Sequence, residues 1–582
     1  MTSIDDLFKK PSSNGNKRKL DTSRDPNEIY KSTKLEINGD AKGKGRATVE
    51  EEEDDDDGFA GPDLPPDDLA PDDEDGRFFG GGITNNTADI LDYIDERDKD
   101  DANPENIDLA WVRKLALNFE KRISKNAELR AKFEDDPQKF MGSEADLDAD
   151  IKTLSILAEH PELYEEFCKL GCVNSLISLL AHENTDIAIG VIEIIDELTD
   201  EDVEAEQAQW DILVNSMLEA DLLDLLIQNL SRLNEDTESD RNGVYHSLGI
   251  LENLSSQTAI ADKIGQDTSI MPWLLSRMQK RESPVGQNKQ YAAEVLAILL
   301  QTSLLNRKRL VELDGLDALL QLVSGYRKRD PAKGTEEEEF VENVFDCLTC
   351  VVDEPEGKTK FIEAEGVELC LIMLREGKMS KPRALRVLDH TLGGQYGGDA
   401  CDKLVEAAGL KTVFGMFMKK HDNQSTEHLL GIFSSLLRLL PGNSAGRIRT
   451  LAKFVEKEYE KITKLIKIRR DYATRLAAVD QVIARERASL SAEDQEDMAD
   501  EWFSRRLDAG LFCLQTIDVI LAWLVAEDDG ARTRIIALLA ERDESLAEVK
   551  RTLQEQLESI TGEGEGDEQL VKDMLSTLIS FL

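Results

Sequence analysis

The chain has 582 residues, of which 40% are hydrophobic, and its formal net charge at pH 7 is −48. One hydrophobic core does not grow to this length, so we expect two or more structural regions. An acidic surface repels nucleic-acid phosphate, which argues against direct DNA or RNA binding by the folded part. Lys/Arg-rich protein segments are the more natural ligands.

Residues 1–106 predict a disordered arm that is basic first and acidic afterwards. Residues 1–49 carry eleven Lys or Arg against seven Asp or Glu, whereas residues 50–75 carry fifteen Asp or Glu and no Lys or Arg. Such blocks bury too little apolar surface to offset ordering entropy. One compact basic cluster has the composition that an import receptor binds. A basic run that is simply solvated is an equally supported interpretation. This candidate nuclear-localisation signal is Lys17, Arg18 and Lys19.

Targeting signals and cysteine usage indicate the compartment. The first ten residues, MTSIDDLFKK, contain no apolar signal-peptide core, and the chain has no run of about 18 apolar residues. The seven cysteines are odd in number and lie mostly in apolar helical phrases. We therefore expect an intracellular, reduced and soluble protein without a membrane partner. Cys347 and Cys350 resemble half of a zinc or redox site, but buried structural thiols are the favoured interpretation because no second pair exists.

Order is predicted to begin near residue 107, where Asp108 can cap a helix running from about Trp111 to Ile123. Residues 107–150 predict two or three helices that form an N-terminal cap. A cap is needed at the end of a repeat array, which would otherwise leave apolar surface in water.

A leucine-rich phrase recurs through residues 151–440. It is clearest as GCVNSLISLLAHENTDIAIGVIEIIDELT from Gly171, and it starts again near residues 220, 270, 315, 366 and 409. An apolar helix, a polar turn and a second apolar helix follow each start. A period of about 40–50 residues built from helix pairs or triplets is typical of a stacked α-solenoid. We predict an all-α fold with about six repeats.

Residues 441–582 predict a C-terminal helical region. The apolar positions of residues 451–483 recur at helical spacing and indicate one long amphipathic helix, or two with little break. Residues 502–524 predict another strongly apolar helix. The last ten residues end on an apolar turn that we expect to dock back onto the body.

The last helix of each repeat carries carboxylates. In a solenoid this helix lines the concave face, so a negative strip there suits an extended basic peptide. The competing interpretation is that some of these side chains cap or bridge neighbouring helices. The candidate residues for basic-peptide binding are Glu193, Asp196, Glu197, Glu252, Asn253, Glu294, Asp346 and Asp389.

Catalytic motifs are not found in the sequence. The six histidines are scattered, and no HExxH or nucleophile–base grouping occurs in one unit. Gly357-Lys358-Thr359 resembles the end of a phosphate loop, but Val352 stands where that loop needs a glycine. We therefore expect a protein that is not an enzyme and uses no cofactor or metal.

Six long phrases resemble the catenin-beta-like family of armadillo-repeat nuclear proteins, and they extend over nearly all of the predicted folded part. They are FEKRISKNAELRAKFEDDPQKFMGSEADLD from Phe119, HENTDIAIGVIEIIDELTD from His182, YAAEVLAILLQ from Tyr291, ELDGLDALLQ from Glu312, RALRVLDH from Arg383 and RRLDAGLFCLQ from Arg505.

The resemblance implies armadillo repeats between an N-terminal helical cap and a C-terminal helical region. It also implies a nuclear, spliceosome-associated protein that joins the Prp-nineteen complex and recognises the basic localisation segment of that complex's Myb-repeat subunit. The vertebrate member also binds a cytidine deaminase, a partner that we do not carry over. An import receptor would bind the N-terminal arm.

One departure from the armadillo import receptors concerns the ladder of Trp and Asn by which those receptors clamp basic side chains. None of the five tryptophans falls on a last helix of the repeats, and Asn253 and Asn343 are the only ladder-like asparagines. Binding would then rest on carboxylates and depend on salt. A nuclear transport adaptor for basic cargo is the alternative function, and the missing ladder argues against it. The sequence leaves open whether apolar terminal helices pair two chains into a homodimer.

Overall fold

The computed structural model describes residues 107–266, 269–560 and 567–582. The nuclear-localisation candidate and the acidic run lie outside these residues. All described residues belong to one unit, Ile83–Leu582. Their regular secondary structure is helical throughout, which confirms the all-α prediction.

The Asp108 side chain begins the first helix, as predicted, by accepting hydrogen bonds from the backbone N–H groups of Ala110 and Trp111 at 2.9 and 3.0 Å. This helix, α1, is longer than the sequence indicated, and a short 3-10 turn (Pro137–Lys139) separates it from α2. The two helices contact each other and pack against the following repeats through the buried side chains of Phe119, Leu147 and Ile151. Their bounds are α1 Leu109–Lys132 and α2 Met141–Thr153.

Six helix triplets follow, and each consists of a short first helix, a second helix and a longer third helix. The first helices are α3 Tyr164–Lys169, α6 Gln207–Glu219, α9 Thr258–Gln266, α12 Leu304–Glu312, α15 Pro355–Glu363 and α18 Gly398–Glu406. The second helices are α4 Cys172–Ser178, α7 Leu222–Arg232, α10 Ile270–Gln279, α13 Gly315–Ser324, α16 Gly366–Glu376 and α19 Leu410–Phe417. The third helices are α5 Thr185–Thr199, α8 Glu238–Leu254, α11 Gln287–Thr302, α14 Glu336–Val351, α17 Ser380–Leu392 and α20 Asn423–Leu439.

The second helices begin within two residues of the six predicted phrase starts. Near the second start, however, the apolar run of residues 214–230 is divided between α6 and α7. Asp221, between them, has a left-handed backbone with φ of +61°, and Asp314 and Glu365 take the same conformation at the equivalent junctions. A single left-handed residue changes the chain direction and so ends the first helix before the second begins. The apolar pattern alone does not show this break, because it continues from one helix into the next.

Close packing requires the glycines that open three of the phrases, Gly315, Gly366 and Gly409, whereas Gly171 has open space beside it and a left-handed backbone with φ of +77°. A Cβ added at Gly315 would lie 2.6 Å from a methyl carbon of Leu310, and one at Gly366 would lie 2.6 Å from the ring of Phe361. In both cases the neighbour stands five residues earlier, on the first helix. The glycine spacing seen in the sequence therefore records the contact between first and second helices.

The helix predicted over residues 451–483 lies within α21, Ala445–Ser489, which is interrupted at Glu456–Tyr459. Lys457, Glu458 and Tyr459 all have left-handed backbone, with φ of +54°, +55° and +63°. This break divides a short segment, which packs like a first helix, from the long segment that continues to Ser489. The interruption is larger than the little break that the sequence suggested.

The remaining helices complete the C-terminal region. The strongly apolar α24 is almost wholly buried, and the last helix docks onto it, as predicted, through Leu575 and Leu578 against Val519 and Ala522. The bounds are α22 Ala492–Asp497, α23 Ala499–Asp508, α24 Leu511–Glu527, α25 Asp529–Ala540, α26 Leu546–Ser559 and α27 Asp567–Phe581. One hydrophobic core runs without a break from Val112 in the cap to Val549 in this region.

Candidate functional site: the third-helix face

The third helices α5, α8, α11, α14, α17 and α20 pack against one another in chain order. Their partly exposed surface is here called the third-helix face. All eight predicted binding residues lie on these helices, within the bounds given above. The structure adds what the sequence could not supply, namely which of these side chains contact the next helix in the series.

The most complete bridge joins α5 to α8. The His246 Nδ1–H donates to Oδ2 of Asp196 at 2.8 Å, and Asn253 Nδ2 reaches the Asp196 carboxylate at 3.3 Å. Gly249, three residues after the histidine, leaves room for this carboxylate, because a Cβ there would collide with both Asp196 oxygens. Asp196 and Asn253, both predicted to bind a peptide, therefore also join two repeats.

The same arrangement recurs between α17 and α20. His428 Nδ1 lies 3.0 Å from Oδ2 of Asp389, and a Cβ at Gly431 would collide with that carboxylate. The two bridges share a local sequence, His-x-x-Gly-Ile, at residues 246–250 and 428–432. This repeated phrase was the available sequence signal for both histidines, which the sequence analysis missed.

Two further predicted carboxylates also bridge third helices. Glu252 accepts a hydrogen bond from the Tyr291 hydroxyl at 2.6 Å, which joins α8 to α11. Asp346 pairs with Arg386 and joins α14 to α17. Burial raises the pKa of Asp346, and the adjacent Arg386 guanidinium opposes that shift. Glu294 instead accepts from Gln290 on its own helix at 2.7 Å.

Glu193 and Glu197 are the two predicted carboxylates without a hydrogen-bond or ion-pair partner among the described residues. Glu197 is exposed to solvent, yet desolvation raises its pKa, and the negative charges of Asp196 and Glu159 raise it further. Glu427 on α20 is likewise exposed, and desolvation followed by the charge of Asp389 raises its pKa. A cation bound beside a partly desolvated carboxylate is screened less than one on an open surface.

Aromatic rings lie among the carboxylates at the α8–α11 junction. The ring centroids of Tyr245 and Tyr291 are 5.1 Å apart, and those of Tyr245 and His246 are 5.4 Å apart. Burial raises the pKa of Tyr291, and its hydrogen bond to Glu252 favours the neutral phenol as well. Tyrosine faces attract Lys and Arg side chains, so this junction combines negative charge with ring surface. These rings are not part of a Trp or Asn ladder, the pattern by which the sequence was compared with import receptors.

The thiols and the phosphate-loop fragment occupy structural positions. Cys347 and Cys350 are buried on α14, and desolvation raises the pKa of Cys347 well above its ordinary value. Lys358 is buried on α15 and donates to the carbonyl oxygen of His390 at 2.5 Å, so it caps the end of α17. Among residues 107–266, 269–560 and 567–582, no three His, Cys, Asp or Glu side chains are grouped to hold a metal ion.

Helix triplets whose third helices stack in series define an armadillo-repeat protein. The chain belongs to the family described as catenin-beta-like, Arm-motif containing nuclear, whose model matches residues 88–554. This identifies the family that the sequence phrases indicated.

Relatives with the same family name match over most of their length. The beta-catenin-like protein 1 homolog of Schizosaccharomyces pombe is 38% identical over 498 residues, covering 85% of this chain and 87% of the relative. Beta-catenin-like protein 1 of Homo sapiens is 38% identical over 476 residues, covering 79% of this chain and 84% of the relative. An engineered protein of known crystal structure covers 79% of this chain and 98% of its own, at 13% identity and a TM-score of 0.46. The fold assignment rests on the helix triplets and not on that likeness.

Across the described part of the chain, no single helix is long and apolar enough to cross a membrane. One bent pair, Glu493–Asp508 with Leu511–Glu527, reaches that length and composition when its two helices are taken together.

Proposed function

We propose that this chain is a nuclear, non-enzymatic scaffold of the pre-mRNA splicing machinery that binds basic segments of partner proteins on its third-helix face. Membership of a nuclear armadillo family supports the scaffold role. The expected partner is the Myb-repeat subunit of the Prp-nineteen complex, through its basic localisation segment. An import receptor would bind the candidate signal at Lys17–Lys19.

The observation that carries the proposal is the crowding of negative charge around Glu197. Desolvation and two neighbouring carboxylates raise the pKa of this exposed side chain and together outweigh the opposing effect of His246, so its ionised form is only partly compensated. A Lys or Arg side chain placed there would supply a further cation. Because the site is partly desolvated, the attraction would exceed that of an open surface pair.

The bridged carboxylates contribute in a different way. Asp196, Glu252 and Asp389 are oriented by hydrogen bonds from His246, Tyr291 and His428, so their positions do not have to be fixed when a ligand arrives. A carboxylate accepts several hydrogen bonds, and a second donor from a ligand can share its oxygens. Because these acceptors are already fixed, less conformational entropy is lost when a flexible basic segment binds.

Titration of the full chain with the basic segment of the Myb-repeat partner, at low and high salt, tests the proposal. We expect the Glu193→Gln/Glu197→Gln double variant to bind about tenfold more weakly, since two partly desolvated charge interactions are lost. The matched control is Glu128→Gln/Glu134→Gln, which removes two exposed carboxylates outside the third helices. Equal affinity for both variants, or affinity that does not fall with salt, would reject the proposal.

A further inference from the structure

The strongest exception to the acidity of this chain is α21. Its 45 residues carry twelve Lys or Arg and six Asp or Glu, whereas the whole chain has a net charge of −48. Six of these twelve cations form ion pairs with carboxylates of the chain. The pairs are Arg447–Glu527, Lys453–Glu456, Lys457–Glu460, Lys461–Glu456, Arg469–Asp518 and Arg470–Glu544.

Four lysines near the start of the long α21 segment are not used in this way. Lys464 and Lys467 lie one turn apart on α21, and Lys419 and Lys420 follow the end of α19. The Lys464 ammonium joins the two segments, since it donates to the carbonyl oxygen of Lys419 at 2.6 Å and to that of Phe417. We call Lys419, Lys420, Lys464 and Lys467 the lysine patch.

The lysine patch has no compensating carboxylates among the described residues, because none lies within ion-pair distance of its four ammonium groups. Two acidic side chains of the same segments are engaged elsewhere, and Asp471, four residues after Lys467, is not within ion-pair distance of it. Asp422 accepts from the Ser425 backbone N–H as the N-cap of α20, and Glu460 pairs with Lys457 and Lys461.

The patch is also accessible and crowded with like charge. Lys419, Lys420 and Lys467 are exposed, and Lys464 is half-buried. Desolvation lowers the pKa of Lys464, and the positive charge of Lys467 lowers it further. An anion bound over the patch would relieve this repulsion.

We infer that the lysine patch is a docking site for an acidic polypeptide segment of a partner protein. Charge complementarity requires an anionic occupant, and two further observations favour an acidic polypeptide over a nucleic acid. Single-stranded nucleic acid is held by exposed aromatic rings together with cations. Here the nearby rings of Phe417 and Tyr472 are buried, with Lys464 over the first and Arg475 over the second. A long nucleic acid would also be repelled by the strongly negative surface of the rest of the chain. A short acidic segment extends over less of that surface and is repelled less.

The inference goes beyond the proposed function, since it assigns a second surface of opposite charge preference to the same chain. The lysine patch lies at α19 and α21, whereas the third-helix face lies on other helices. A scaffold of this kind holds a basic and an acidic partner segment at the same time.

The test uses the full chain, a labelled poly-glutamate peptide and a poly-uridylate oligonucleotide in separate titrations. The patch variant is Lys419→Glu/Lys420→Glu/Lys467→Glu, which leaves the capping Lys464 in place. The control is Lys121→Glu/Lys263→Glu/Lys308→Glu, which changes the net charge equally at exposed lysines on α1, α9 and α12. We expect the patch variant to lose about tenfold in affinity for poly-glutamate relative to the control, because three attractions become repulsions.

Circular dichroism checks that the patch variant remains folded. A milder second variant, Lys419→Gln/Lys420→Gln/Lys467→Gln, should bind poly-glutamate with an affinity between those of the wild type and the Glu variant. Unchanged affinity of both patch variants would overturn the inference, and so would tighter binding of poly-uridylate than of poly-glutamate. The patch variants should keep the affinity of the wild type for the basic Myb-repeat segment. Failure of the third-helix face is therefore measured separately from failure of the patch.

Discussion

The third-helix face and the C-terminal region use charged side chains in different ways. At the third-helix face, carboxylates such as Asp196 and Asp389 are hydrogen-bonded to His246 and His428, and both partners retain some exposure. In the C-terminal region, Arg469 and Asp518 are 5% and 0% exposed and form a two-point pair at 2.6 and 3.0 Å. The third-helix face therefore keeps charge accessible to ligands, whereas the C-terminal helices bury an ion pair whose two charges must be matched.

Loss of the buried cation should have the largest effect. Burial raises the pKa of Asp518 to about 6. Burial also lowers the pKa of Arg469, but the charge and hydrogen bonds of Asp518, together with the charges of Glu544 and Glu548, raise it overall. The two-point geometry favours the ionised pair at neutral pH, since a guanidinium stays charged. We expect Arg469→Met to lower the free energy of unfolding by about 3–5 kcal/mol, because Asp518 is left buried without a cation. Urea denaturation of the full chain measures the loss.

The pH dependence of this variant sharpens the comparison. Because the pKa of Asp518 is higher in the folded state than in the unfolded chain, folding takes up a proton. The loss of unfolding free energy in Arg469→Met should therefore shrink as pH falls from 8 to about 5. Arg469→Met/Asp518→Leu should recover most of the stability. The control, Arg506→Met, removes a pair with 30% and 44% exposed partners and should cost less than about 1 kcal/mol. Equal losses in Arg469→Met and the control would contradict the account.

The repeats should instead be most sensitive to added volume. Gly366→Ala should cost about 1–3 kcal/mol, because its Cβ would lie 2.6 Å from the buried Phe361 ring. Gly415→Ala, in α19, has nothing within 4 Å of the added methyl group and should be neutral or stabilising. Thermal unfolding of the two variants measures the difference, and a stabilising Gly366→Ala would show that the first and second helices do not need close contact.

A smaller loss is expected when a bridge between third helices is cut. His428→Leu removes the donor to Asp389 and should cost about 1 kcal/mol, because the half-exposed carboxylate is partly hydrated in its place. The control is His160→Leu, whose partner Glu162 is largely exposed. If both variants unfold at the same denaturant concentration as the wild type, the His-x-x-Gly-Ile phrase has no role in joining repeats.

The smallest effect concerns Glu427. Desolvation raises the pKa of this carboxylate, so its ionised form destabilises the fold, and its contribution to stability falls as pH rises above its unfolded value of about 4.5. Glu427→Gln should therefore raise Tm slightly at pH 7.5 and have no effect near pH 4. A lower Tm at pH 7.5 would mean that Glu427 is stabilised by a cation.

Local pattern was enough to predict the repeats. The six phrase starts follow from glycines and apolar residues that contact one another within a few positions of the chain, and the Asp108 cap is local as well. The left-handed residues at Asp221 and at 457–459 were not predictable, because no glycine or asparagine marks them. Placement of the eight candidate residues on third helices followed from periodicity.

The partners of these residues did not follow from periodicity. The donors to Asp196, Glu252 and Asp389 stand 50, 39 and 39 residues further along the chain. Residues so far apart in the chain can be predicted to contact each other only when the register between neighbouring repeats is known. The buried Arg469–Asp518 pair, 49 residues apart, was missed for the same reason.

Hydrogen–deuterium exchange of the full chain, with and without the basic Myb-repeat segment, tests the central claim most directly. Binding on the third-helix face predicts that amide protection increases in α5, α8 and α11, where Glu193, Glu197 and the tyrosine pair lie, and that high salt removes the effect. Protection confined to first or second helices, or protection in α5 that persists at high salt, would contradict the account.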